Sequence, residues 1–270
     1  FAFQIKSYFC KTINYKTNNM KKILLLVTLF FISNSFGQFN SDREAYLSLL
    51  DKLKKDPNKI YENVTSTSET TDFVNFKTVN GEEKLITLKI YKLFNDVSTP
   101  STESKTIDLT PELKQFNLAE SLIIAANPRF NTSNLSNIYQ INFEKLSHLS
   151  NLITFSFDVG PNQKSQLEVF NLDKINTIPQ LRTLGLRALK MDDGVYNVLE
   201  STTPYNIKDF TISPFTNGVE SISNFTFSGF KNTLEKLTIE DFYGNLNNNF
   251  LSNLPNLRSF TYIGEFNNFP

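Results

Sequence analysis

The stretch LSNLPNLRSFTYIGEF, Leu251–Phe266, places apolar side chains at Leu251, Leu254, Leu257 and Phe260, three apart, and then at Tyr262, two apart. Residues three apart share a face of a helical or 3-10 turn. Residues two apart share a face of a strand. The change from threes to twos therefore reads as a turn of helix running into a short strand, with the apolar edge kept on one side throughout. Pro255 marks the end of the helical part, and Pro179 in IPQLRTL stands at the matching place.

The same spacing recurs in LITFSF (Leu152, Phe155, Phe157), LRTLGL (Leu181, Leu184, Leu186), IKDFTI (Ile207, Phe210, Ile212), LEKLTI (Leu234, Leu237, Ile239) and LRSFTY (Leu257, Phe260, Tyr262). A weaker copy, AESLII, has Ala119, Leu122 and Ile124, with Asn127 following. The middle residues Leu122, Phe155, Leu184, Phe210, Leu237 and Phe260 are separated by 33, 29, 26, 27 and 23 residues. Self-similarity at such periods marks a solenoid, and the unequal periods imply joining segments of unequal length. No single unit buries its own apolar edge, so neighbours must stack. Each Leu or Phe so buried contributes about 1.5–3 kcal/mol.

These residues resemble the leucine-rich repeat family, whose pattern is L-x-x-L-x-L-x-x-N-x-L, over roughly Leu118 to Phe266. LRTLGLRALKM fits the apolar positions through Leu189 and Met191, but Leu189 stands where the family has an asparagine bridging successive backbones. Phe215 and Phe242 occupy that site in their segments, and only Asn127 obeys the asparagine rule. The resemblance implies an α/β solenoid over 108–270. Its expected form is a right-handed array with a parallel concave sheet and short helices on the convex side. A parallel β-helix is the rival architecture, with three strands per coil and clustered carboxylates beside Lys or Arg.

Residues 38–107 are expected to form a helix-and-hairpin cap. SDREAYLSLLDKLKKD pairs Ser41 with Glu44 in a capping-box pattern and lines Tyr46, Leu49, Leu50 and Leu53 along one face, with Pro57 and Asn58 closing it. Asn80-Gly81 is a strong hairpin turn. The following strand is ambiguous in register. Strict alternation sets Leu85, Thr87 and Lys89 against Ile86, Leu88 and Ile90, whereas Leu85, Leu88 and Ile90 would begin a first degenerate repeat. The polar runs NVTSTSETTD and STPSTESKT read as breaks.

At the amino end, MKKILLLVTLFFISNSFGQ has cationic Lys21 and Lys22, an apolar run Ile23–Ile32 and a small, polar stretch before Gln38. That is an export-signal pattern, with an apolar run short of the ~20 residues that span a bilayer. Residues 20–37 are expected to be the signal. Residues 1–19 are expected to be translation upstream of the start, and the array is expected to continue past Pro270. The chain is thus expected to be secreted or displayed at the cell surface, with no transmembrane segment once the signal is cleaved.

Lys+Arg and Asp+Glu each number 27 in the 270 residues. All five lysines and no acid of the first 37 residues fall in the expected leader, so the remainder carries 22 basic and 27 acidic groups. A slightly acidic chain without a basic stripe argues against nucleic acid. Cys10 is the only cysteine and His148 the only histidine, which argues against a disulfide framework, thiolate or histidine metal sites and His-assisted hydrolase triads. No cofactor is expected.

In such strands the residues flanking the apolar pair face outward. Between the pair lie Ile123, Ser156, Gly185, Thr211, Thr238 and Thr261. Before it lie Ser121, Thr154, Thr183, Asp209, Lys236 and Ser259, and after it Ala125, Asp158, Arg187, Ser213, Glu240 and Ile263. The expected binding set is Thr154, Ser156, Asp158, Thr183, Arg187, Asp209, Thr211, Lys236, Thr238, Glu240, Ser259 and Thr261, a hydroxyl-rich face for a protein or glycan ligand. The expectation is a non-enzymatic recognition module. The alternatives are a polysaccharide-acting enzyme of the β-helix type and a spacer portion of a larger surface protein.

Asp158, Asp209, Glu240 and Asp241 supply carboxylates for glycoside cleavage, but no fixed pair is visible. Asp192, Asp193 and Gly194 lack the alternating oxygen ligands of a calcium loop and read better as a helix start. Asn63, Asn131, Asn134 and Asn224 fit the glycosylation acceptor pattern, which an Asn- and Thr-rich chain produces by chance.

Overall fold

The computed structural model describes residues 39–64, 71–91, 105–125, 137–159, 165–214, 226–240 and 253–263. The segments expected to be an export signal and upstream translation, with Asn127, Asn131, Asn134, Phe215, Asn224, Asp241, Phe242, Leu251 and the carboxy-terminal residues, lie outside them. The chain divides into two units, Phe1–Asn40 and Ser41–Pro270, and every described helix and strand belongs to the second.

Helix α1 (Asp42–Lys52) starts where Ser41 Oγ accepts from the Glu44 amide at 3.1 Å. It ends at Leu53, with Lys54 in the left-handed region (φ 55°). Tyr46, Leu49 and Leu50 on its inner face and Leu53 at its end are buried, as expected, with Ala45 buried beside them. Strand β1 (Tyr61–Glu62) pairs parallel with β2 (Phe73–Val79). A tight turn follows with Asn80 at φ 53° and Gly81 at φ 84°, and β2 then pairs antiparallel with β3 (Glu82–Ile90). Both residues of the turn need positive φ, which is why Asn-Gly stands there.

The register ambiguity of β3 resolves through a bulge. Phe76 pairs with Leu85 but Asn75 pairs with Thr87, leaving Ile86 as the extra residue. A bulge shifts the inward side by one, so Leu85, Leu88 and Ile90 are all buried despite their uneven spacing. The hairpin strand thereby acquires the three-then-two pattern. It also joins the sheet, Leu88 lying abreast of Leu122 and Ile90 abreast of Ile124.

From β3 the main ribbon runs through β5 (Ser121–Ala125), β7 (Thr154–Asp158), β9 (Thr183–Leu189), β10 (Asp209–Pro214), β11 (Lys236–Glu240) and β12 (Ser259–Ile263), every pair parallel. The pairing sets Leu122, Phe155, Leu184, Phe210, Leu237 and Phe260 in one row. Ile124, Phe157, Leu186, Ile212, Ile239 and Tyr262 form the next. Both rows are at most 1% exposed from β3 to β11, and half-buried at Phe260 and Tyr262 on the edge strand. The architecture is a mostly parallel, open sheet with few helices.

The returns between these strands differ from the expected short helices. Strands β4 (Thr106–Asp108), β6 (Ile138–Asn142) and β8 (Gln166–Phe170) form a second parallel ribbon, joined to β9 through Leu167 opposite Leu189. Helix α2 (Thr110–Leu113) and 3-10 turns at Phe143–Leu146 and Leu172–Thr177 lead from this ribbon back to the main one. The cause is alternation within the return segments, where Tyr139 and Ile141, and then Leu167 and Val169, point inward. The core lies between the two ribbons, with Tyr139 against Phe157 (ring centroids 5.5 Å apart) and Phe143 against Phe155 (5.4 Å). Beyond β9 the described returns are helix α3 (Asp193–Leu199) and a 3-10 turn at Ser228–Phe230.

Two backbone devices hold successive passes together. Ala188, at φ 54°, is an extra residue in β9 between the Arg187–Ser213 and Leu189–Pro214 pairs. It lets the strand continue to the second ribbon, where the Lys190 amide donates to Leu167 O at 2.7 Å. Ahead of each strand, one carbonyl accepts two amides of the next pass. Glu120 O accepts from Ile153 and Thr154, Ile153 O from Arg182 and Thr183, Arg182 O from Lys208 and Asp209, Lys208 O from Glu235 and Lys236, and Glu235 O from Arg258 and Ser259. These bonds need no particular side chain, so they do not restrict which residues stand at those positions.

Candidate functional site

The solvent-facing side of the main ribbon carries three lanes. The first is Thr87, Ser121, Thr154, Thr183, Asp209, Lys236 and Ser259. The second is Lys89, Ile123, Ser156, Gly185, Thr211, Thr238 and Thr261. The third runs Ala125, Asp158, Arg187 and Ser213, with Glu240 and Ile263 paired beyond. All twelve residues expected on this face stand in these lanes. They alternate with the buried rows because successive side chains of a strand point to opposite faces.

Within the lanes the residues are not equally available. Thr238 and Asp158 are only 8% and 6% exposed, while Lys236 and Ser259 are exposed and the other eight are half-buried. Gly185 is fixed by its neighbour, since a Cβ there would meet Ser156 Oγ at 2.4 Å. The first lane is hydroxyl-rich over four strands and then turns charged, Lys236 Nζ lying 3.1 Å from Asp209 Oδ2.

The third lane holds the densest electrostatics. Arg187 reaches across Ser213 to Glu240, with Nη2 2.6 Å from Oε1 and Nε bonded to Oε2. Its Nη1 lies 3.4 Å from Asp158 Oδ2 on the other side. The small Ser213 between them, 3% exposed, leaves the space for this reach. A two-pronged guanidinium–carboxylate contact is among the stronger polar pairs, and here it ties β7, β9 and β11 together. Asp158 and Glu240, read from the sequence as unpaired acids, are thus brought to one guanidinium, and Asp209 is engaged by Lys236. Asp241 lies outside the described residues.

The remaining candidates have structural partners. Asp192 caps α3, its Oδ1 accepting from the Val195 amide at 3.1 Å, which is the helix-start reading. His148 is exposed with Nε2 2.5 Å from Lys114 O. Asn63, exposed at φ 52°, accepts the Phe76 amide on Oδ1 at 2.8 Å. Among the described residues no group of three His, Cys, Asp or Glu is placed to hold a metal ion, and no helix is long and apolar enough to cross a membrane.

A second feature escaped the sequence reading. Arg182, Asn206, Lys208, Asn232, Thr233, Glu235, Asn256 and Arg258 line a cleft of about 370 Å³ at the N-terminal ends of β9 to β12. The signal was present at the second position ahead of each central apolar residue, occupied by Arg182, Lys208, Glu235 and Arg258 in successive segments. That position lies outside the strands, where alternation assigns no face.

Comparison of the chain with protein-family models, with curated proteins and with solved structures gives no match.

Proposed function

We propose that the protein is a non-catalytic recognition module of leucine-rich-repeat type, exported to the cell surface or beyond, which binds a protein or glycan on the open face of its main ribbon. In that reading the ribbon is the concave side of a right-handed solenoid. The observation that carries it is the in-register display of hydroxyl and charged side chains over seven strands, from Thr87 to Ser259. A wide rigid sheet with few exposed apolar groups suits polar recognition, because its side chains are already ordered before a ligand arrives. The engagement of Asp158 and Glu240 by Arg187 favours a structural over an acid–base role for both.

The test is a glycan array and a protein pull-down with the full chain, followed by Thr211→Lys combined with Thr261→Lys. Both threonines are half-buried lane residues, so lysine there blocks the face without entering the core. A ligand captured by the native chain and lost from the double variant, with unchanged circular dichroism, supports the reading. A ligand that binds both proteins equally contradicts it.

The second ribbon favours one alternative, a parallel β-helix enzyme acting on polysaccharide, since β6 and β8 give their passes two strands each. Release of reducing ends from a polysaccharide, abolished by Glu240→Gln, would establish that alternative.

A further inference from the structure

We propose that the cleft ahead of β9 to β12 is a separate binding site for an acidic saccharide, whose carboxylate or sulfate ester sits between the Arg182 guanidinium and the Asn206 amide. None of its eight lining residues belongs to the three lanes, so the site stands whether or not the open face binds anything.

The argument starts from a pattern and its one interruption. On this side of the molecule, side chains tie each pass to the carbonyl of the one before it. Thr233 Oγ1 donates to Tyr205 O at 2.6 Å, and Asn256 Nδ2 donates to Asn232 O at 2.7 Å. Asn206 is the equivalent residue one pass earlier, and Pro179 O is the equivalent acceptor. There, Arg182 takes the acceptor instead, its Nη1 donating to Pro179 O at 2.9 Å and to Leu181 O at 2.8 Å. Asn206 is exposed and makes no hydrogen bond among the described residues. One nitrogen of Arg182 is pinned, which orients the planar fork. Its Nη2 and Nε make no hydrogen bond among the described residues. A guanidinium so held is prepared for a planar oxyanion at reduced entropic cost.

Charge points the same way. The lining holds three cations, Arg182, Lys208 and Arg258, and one acid, Glu235. Lys208 Nζ lies 2.8 Å from Glu235 Oε1, whereas Arg258 Nη1 stands 3.9 Å from Oε2 with its side chain 82% exposed. The surplus positive charge therefore rests on the two arginines at opposite ends of the cleft. They are separated by three strand spacings, roughly 14 Å, which suits an extended polyanion with more than one charged unit.

The rest of the lining selects the class of ligand. All eight residues are polar or charged, with no apolar or aromatic side chain. A peptide would find no seat for its apolar side chains, and a neutral sugar no ring on which to stack. Three amides, each able to donate and accept, and the Thr233 hydroxyl, whose proton goes to Tyr205 O and whose oxygen can still accept, match the hydroxyls that flank a charged group on a saccharide.

Isothermal titration calorimetry of the full chain with a galacturonate hexamer, the neutral galactose hexamer, a sulfated galactose hexamer and poly-glutamate tests the site. Saturable binding of the uronate, weakening as salt rises, with none for the neutral hexamer, is the expected result. Binding of the sulfated hexamer alone would keep the site and assign the ester. Asn206→Ala, which removes an exposed side chain free of internal bonds, should weaken binding several-fold, and Arg182→Gln by about tenfold or more, the scale of a charged hydrogen bond. Lys77→Gln, exposed on β2 and outside both the lanes and the cleft, should leave binding unchanged. The proposal is overturned if the neutral hexamer or poly-glutamate binds as well as the acidic hexamers, if none binds, or if Asn206→Ala and Arg182→Gln both bind like the native chain while keeping its circular dichroism.

Discussion

The amino-terminal helix and hairpin bury charge, whereas the strands from β5 onward bury almost none. In the first region Lys55 and Asp72 form a pair 2.7 Å apart with side chains 1% and 9% exposed, and Asp72 Oδ1 also accepts the Tyr91 amide. Glu112 is fully buried between Lys52 Nζ at 2.7 Å and Ser48 Oγ at 2.8 Å, fastening α2 to α1. Asp42, also fully buried, accepts the Leu85 amide beside the bulge at 2.8 Å. In the ribbon the interior rows are Leu, Ile and Phe, and the ion pairs stand on the faces and edges. The contrast follows from geometry. A stack of parallel strands satisfies its own backbone and needs only apolar fill. A helix laid against a bulged hairpin leaves odd amides that side-chain acids must meet. The first region is thereby held in one arrangement by polar contacts of specific direction, and the second by volume.

The largest effect should come from removing volume in the ribbon. Phe155→Ala deletes a side chain 1% exposed that packs on Phe143, and should cost about 3–5 kcal/mol in urea unfolding. Phe260→Ala on the half-buried edge strand should cost clearly less. Equal losses would show that the interior is not graded from centre to edge.

Breaking a buried pair in the first region should come next. Lys55→Met strands the Asp72 carboxylate and should cost about 3 kcal/mol. Adding Asp72→Asn, whose amide oxygen can still accept from Tyr91, should restore at least half of the loss. Failure of the second change to restore stability would mean that the pair contributes through more than its charges.

The smallest effect is one of pH. Burial raises the Asp42 carboxyl above its ordinary value of 3.8, against the opposing pull of the Leu85 amide bond and Lys84. A raised acid favours folding most when protonated, and that contribution is lost as pH climbs through its folded value. The stability of the native chain relative to Asp42→Asn should therefore shift in the native chain's favour between pH 7 and pH 4. On the second ribbon the sign reverses. The Lys190 ammonium, with Gln140, holds the Glu168 carboxyl below its usual range. Lys190→Gln should cost under about 1 kcal/mol at pH 7, and that cost should fade as the solution is acidified through the carboxylate range.

Local signals made much of this fold legible. Ser41 with Glu44 marked the start of α1, Asn80-Gly81 the hairpin, and the three-then-two spacing the strands from Leu122 to Tyr262. Those signals involve neighbours in sequence. What escaped depends on partners far apart. The bulge at Ile86 shows only once β2 is opposite, and strands β6 and β8 are five residues each and need one another. The reach of Arg187 to Glu240 spans 53 residues and requires Ser213 to be small. The open-face residues could be named in advance because alternation fixes where they point. The cleft could not, because it lies in the segments that lead into the strands, where no period assigns a direction.

The central claim is that passes of the chain lie side by side in a parallel ribbon, one strand spacing apart. Spin-label pairs joining Ser259 to Thr183, Thr154 and Thr87, placed in a Cys10→Ser background, measure it directly through dipolar distances. Those residues share one lane, three, four and six strands from Ser259. The separations should grow in step with the strand count, to roughly 14, 19 and 29 Å between backbones. A Thr87–Ser259 distance no longer than the Thr183–Ser259 distance would contradict the ribbon.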